Sequence, residues 1–133
     1  MTARANGTFE PETKPLTGYV TDPSAQIGRF SLDKKYHGEL EGTAKGEMLT
    51  AGNPAKGSAG YVAVEFVTGT LKGRSGSFAL QHTGVMTRGT PSLNVTVVPD
   101  SGTGELVGLL GKMDIIIEGK EHSYVLDYDI TKN

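Results

Sequence analysis

Apolar and polar residues alternate in one unbroken phase from Arg29 to Met48. The even positions read Phe30, Leu32, Lys34, Tyr36, Gly38, Leu40, Gly42, Ala44, Gly46 and Met48. They are apolar or small, with Lys34 as the one charge among them. The odd positions, from Arg29 to Glu47, are polar throughout. Strand side chains point alternately to opposite faces, so the stretch predicts a half-buried strand of unusual length. A strand this long must bend, and the glycines at 38, 42 and 46 are where it can do so.

Similar alternation recurs down the chain. Thr2–Glu10 predicts a first strand of small side chains, followed by an irregular connection over Pro11–Ala25. That connection is long for a compact domain and reads either as a lid or as a passive crossover. Ser58–Leu71 predicts a strand with Tyr61, Ala63, Glu65 and Val67 on one face and Val62, Val64 and Phe66 on the other. Both faces are largely apolar, so both are expected to be covered. Ser75–Val85, Leu93–Val98, Lys112–Glu118 and Glu121–Ile130 complete the set, separated by glycine-bearing turns. Helical spacing is missing from every segment of useful length, apart from one turn suggested at Glu105–Val107. The prediction is an all-β fold with little or no helix. It is a single domain over 1–133, an antiparallel meander closed into a β-barrel of about eight strands. A β-sandwich is the competing architecture.

Composition narrows the function. Glycine accounts for 19 of the 133 residues and falls within and between the strands, as a tightly curved sheet requires. The net charge is −2 and no Lys/Arg cluster forms a basic stripe, which argues against nucleic-acid binding. Without cysteine there are no disulfides, thiol nucleophiles or thiolate metal sites. The polar start and the lack of a long apolar run predict a soluble cytoplasmic protein with no membrane partner.

Glu65 is the foremost chemical candidate. On an interior face its carboxylate would sit in an apolar cavity, where burial raises the pKa toward general acid–base use. The alternative is a structural role in a hydrogen-bond network with a tyrosine or Lys34. His82 follows Phe78 and Leu80 in phase, and His122 precedes Tyr124 and Leu126; either imidazole can relay a proton. The two histidines and Glu65 lie on separate strands without a local metal signature, so neither a metal nor a cofactor is expected. Tyr36, Tyr61, Tyr124 and Tyr128 fall on interior faces and, with Phe78, Leu80 and Leu126, suit the wall of a small-molecule pocket or a packed core. The loop Gly102–Gly111 lacks the Gly-Lys-Ser/Thr of a phosphate loop and is expected to turn the chain or close one barrel end.

Three strings, Gly73–Gly84, Val97–Leu106 and Glu121–Tyr128, together resemble a bacterial family of unknown function, DUF3224. The resemblance runs from Ala3 to Ile130 and implies an allene oxide cyclase-like barrel, with the acid at Glu65 kept. Gly102-Thr-Gly104, Gly108 and Gly111 are also similar to the corresponding loop of plant allene oxide cyclases and dirigent proteins. Phe66 stands where the family usually has Arg, no Trp occupies Leu93–Val98, and Thr13–Tyr19 lacks the family's Trp-Asp/Glu pattern. Two functions are carried forward. One is a barrel that binds a small, largely apolar molecule, with cyclase or isomerase-type acid–base chemistry as an extension. The other is a non-catalytic structural module with a filled core that forms homo-oligomers through Val62, Val64 and Phe66.

Overall fold

A computed structural model describes residues 3–131. Eight strands follow one another as β1 (Ala3–Pro15), β2 (Ile27–Gly38), β3 (Leu40–Asn53), β4 (Ser58–Leu71), β5 (Arg74–Thr87), β6 (Thr90–Val97), β7 (Leu109–Glu118) and β8 (Glu121–Ile130). Each pairs antiparallel with its neighbour in sequence, and β1 pairs with β8 to close the barrel. This is the predicted meander. Thr2, the predicted start of the first strand, lies outside the described residues.

The long strand expected over Arg29–Met48 is two strands, β2 and β3, joined at Gly38–Glu39. The chain reverses where Gly38 adopts φ +110°, a conformation open to glycine and strained for other residues. The alternation survives because the turn leaves like parity facing like parity: Tyr36 pairs with Gly42 and Lys34 with Ala44. Paired residues share a face, so even positions stay inside on both sides of the turn. Bending glycines are still needed. A Cβ on Gly46 would collide with the Val64 carbonyl and one on Gly42 with the Thr68 carbonyl, so β3 and β4 pack too closely there for any side chain.

The first strand is longer than predicted, running through Pro11 to Pro15. Leu16 donates its N–H to Arg29 across the β1–β2 ladder, so odd-numbered positions direct theirs away from β2. Registered pairing with β8 ends at Thr8 and Ser123, and beyond it Pro11 and Pro15 forfeit no ladder bond. The connection shrinks to residues 16–26, with a 3₁₀ turn at Pro23–Ala25 that Asp22 caps by accepting from the Ser24 N–H at 2.9 Å.

The two ends of the barrel differ. At one end Leu40, Leu71, Phe78, Leu106, Leu109 and Leu126 are fully or almost fully buried. The glycine loop closes this end, as expected. Thr103 donates its N–H to the Ser77 carbonyl at 2.8 Å, Ser77 N–H donates to Thr103 Oγ1 at 3.1 Å, and Leu106 plugs the interior from a 3₁₀ turn at Gly104–Leu106. At the other end the wall is incomplete, for the β6–β7 ladder has two registered pairs, Val95 with Met113 and Thr96 with Lys112. The outer face of β4 is not covered: Val62, Val64 and Phe66 are each more than half exposed.

Candidate functional site

The site stands at mid-height, where the packed half of the barrel gives way to a cavity. Glu65 is inward on β4 and completely buried, with room for its side chain left by Gly46 directly across the ladder. Three donors converge on the carboxylate. Tyr36, on β2, donates its hydroxyl to Oε1. Lys34, two residues earlier on the same face, donates from Nζ to Oε2 at 2.8 Å. His82, on β5, lies 2.6 Å from the same Oε2 through Nε2. In the neutral ring the proton therefore sits on Nε2, and Nδ1 is left as an acceptor. The Tyr61 hydroxyl lies 3.4 Å from that Nδ1.

Burial pushes the Glu65 carboxyl up, as expected from sequence. The hydrogen bond and charge of His82 and those of Lys34 outweigh it and hold the pKa at about 2. The expectation of a raised pKa is thus corrected: a buried carboxylate surrounded by donors stays ionised. Burial, with the charge of Glu65, raises the hydroxyl pKa of both Tyr36 and Tyr61, so both remain protonated donors.

Above this network lies a cavity of about 560 Å³. Leu32, Met48, Met86, Leu93, Ile115 and Ile117 supply much of its apolar wall, while Lys34, His82, Tyr61 and His122 bring polar groups to its lining. Phe9 lies between two of them: Lys34 Nζ is 4.8 Å from its ring centroid, and the His122 ring packs on it at 5.3 Å. The Tyr61 ring rests on Gly84, where a Cβ would collide with it.

The predicted residues therefore divide into groups. Glu65, His82, Tyr36 and Tyr61 come together in one network, with Tyr36 and Glu65 beneath the cavity rather than on its wall. His122 lines the cavity apart from the network, and no cluster of three metal-ligating side chains forms among the described residues. Phe78, Leu80, Tyr124, Leu126 and Tyr128 are buried in the packed core and do not line the cavity. The Tyr124 hydroxyl instead ties the β2–β3 turn, accepting from Leu40 N–H at 2.9 Å and facing the Leu40 and His37 carbonyls. Lys34 and Tyr36 make the network with Glu65 that the sequence offered as the alternative role for this carboxylate; the signal for Lys34 was being the one charge on an otherwise apolar face. Phe9 and the aliphatic wall carried no chemical signal at all.

Among curated proteins none matches the chain. A family described as a protein of unknown function, DUF3224, matches residues 5–128. A crystal structure of a protein of unknown function from the same family, from Shewanella oneidensis MR-1, is similar at 46% identity, covers 98% of each chain and superposes with a TM-score of 0.93. With its eight-stranded barrel and a family match spanning nearly its whole length, this chain belongs to the DUF3224 family.

Proposed function

We propose that the barrel binds a small, largely apolar molecule in its open half. The observation that carries this reading is the cavity of about 560 Å³, walled by aliphatic side chains and ending on a few polar atoms. Ligand pockets typically span roughly 300–1,000 Å³ with this kind of lining. A filled structural core would leave no such space. The test is native mass spectrometry of protein purified from its host, together with Nile red titration of the protein and of Leu32→Trp, which grows a side chain into the cavity. A retained small molecule, or Nile red binding that weakens in the variant, supports the reading. A bare polypeptide mass together with no Nile red binding refutes it.

Acid–base chemistry on a bound molecule is a second reading, favoured by the order Tyr61, His82, Glu65. All the donors on Glu65 come from the protein, so its carboxylate is not the group that meets a ligand. The proton-active atoms on the cavity side are the Tyr61 hydroxyl and His82 Nδ1, and Glu65 steadies the imidazolium that forms when His82 takes a proton. We also read the outward patch of Leu49, Val62, Val64 and Phe66 as a contact between copies of the chain, since Leu49 and Val62 are cross-strand partners and the patch is about half exposed. Sedimentation of the protein and of Phe66→Arg tests this: a dimer lost in the variant supports it, a monomer in both refutes it.

A further inference from the structure

The polar end of the cavity has a definite donor count. The floor holds the Glu65–Lys34 ion pair at 2.8 Å and His82 Nε2 at 2.6 Å from the same carboxylate oxygen. Its donors are not all used: of the three Lys34 hydrogens, one serves Glu65 at 2.8 Å and one points to the Tyr36 hydroxyl at 3.5 Å. The third has no oxygen or nitrogen acceptor among the described residues and lies against the Phe9 ring, 4.8 Å from its centroid, on the cavity side. Lys34 is at the same time 95% buried, its exposure being 5%, so bulk water does not freely satisfy that hydrogen. Tyr61 is a second donor whose 3.4 Å contact with His82 Nδ1 is long for a hydrogen bond.

Three classes of apolar ligand fare differently here. A hydrocarbon fills the wall but leaves the third ammonium hydrogen without an acceptor. A carboxylate satisfies it but sets a second negative charge beside Glu65 in apolar surroundings, which is costly without a further cation. An uncharged oxygen acceptor satisfies the donor and adds no charge beside Glu65. We propose that the cavity selects uncharged molecules whose apolar body ends in one carbonyl oxygen, a ketone or aldehyde, received by Lys34 Nζ and supplemented by the Tyr61 hydroxyl. The proposal rests on the cavity being a binding site, as argued above, and adds the class of ligand.

Three molecules of one shape test it: 2-acetylnaphthalene, 2-ethylnaphthalene and 2-naphthoate, titrated at pH 7.5. The ketone is expected to bind about ten-fold more tightly than either other molecule, the increment of one charge-assisted hydrogen bond. Its carbonyl stretch should move to lower wavenumber on binding to the unmodified protein. Lys34→Met should bring ketone and hydrocarbon within about two-fold. Because that variant strands Glu65 and can unfold, Lys34→Met combined with Glu65→Gln serves as the uncharged control, with the same expected outcome. Equal affinities for ketone and hydrocarbon together with an unshifted carbonyl stretch overturn the ligand class but leave the binding cavity standing. Tightest binding of 2-naphthoate overturns it in favour of an anion site. Failure of all three molecules to bind removes both proposals.

Discussion

Lys34 and His82, on strands separated by two others around the barrel, meet on one oxygen of Glu65, at 2.8 Å and 2.6 Å from Oε2. No two of the three residues are close in sequence, so closure of the sheet creates the contact. The carboxylate holds β2 to β4 and β5 across the interior, and Leu32 and Ala63, two residues before Lys34 and Glu65 on the same inward faces, are buried as well. Such an arrangement is stable only while every member is satisfied.

Acid should therefore weaken the fold through Glu65. Its carboxyl lies at about 2 in the folded protein against an ordinary value of 4.5. A group depressed by folding contributes stability that is present above the ordinary value and lost as pH falls through 4.5 toward about 2. The amount is on the order of 3 kcal/mol. Urea unfolding at pH 7 and pH 3 should show about 2 kcal/mol of this loss in the protein, since pH 3 still lies above the folded value, and a smaller one in Glu65→Gln; the difference between the two isolates Glu65 from the exposed carboxylates.

Removing one partner of the buried pair should cost more than removing both. Lys34→Met leaves Glu65 with an uncompensated charge and is expected to destabilise by about 3–5 kcal/mol. Lys34→Met with Glu65→Leu should recover part of that loss. A double-mutant cycle by urea denaturation measures the coupling, and additive losses would show that the pair acts independently.

Tyr124 predicts a loss confined to one turn. Its hydroxyl is the hydrogen-bond partner of the buried Leu40 N–H. Tyr124→Phe removes that acceptor, and an unsatisfied buried N–H costs about 1–3 kcal/mol. Amide hydrogen exchange should quicken at Leu40 more than in the middle of β4.

His37 gives a signal of opposite sign to Glu65. It stands 3.0 Å from Glu10 and 3.4 Å from Glu41, and the hydrogen bond to Glu10 raises its pKa above 6.5. A group raised by folding contributes stability below its ordinary value and loses it as pH climbs through the folded one. Titration of the His37 ring by NMR should give a midpoint above 6.5, moved down in Glu10→Gln.

Much of the barrel was legible because inside and outside alternate along every strand. The phase placed Glu65, His82 and the four interior tyrosines inward, and the turns at Lys72-Gly73 and Gly119-Lys120 fell where they were expected. Phase alone cannot report a turn that preserves parity, which is why Gly38–Glu39 was read as the interior of a strand. Nor can it report height. Phe78 and His82 share a strand and a face, yet one lies in the packed half and the other on the cavity. Height depends on the stagger between neighbouring strands, a property of the closed sheet that no single segment encodes. The same limit hid the cavity wall, whose aliphatic residues look like core residues in any one strand.

The two-rung ladder between β6 and β7 has a consequence for traffic. Pro91 and Leu93 on one side and Ile115 and Ile117 on the other flank the splayed part of the wall and also line the cavity. For a molecule bound as proposed, the gap between them is a sideways route that leaves the plugged base and the Glu65 tether undisturbed. Exchange then becomes a matter of parting two strand ends, not of unfolding a barrel.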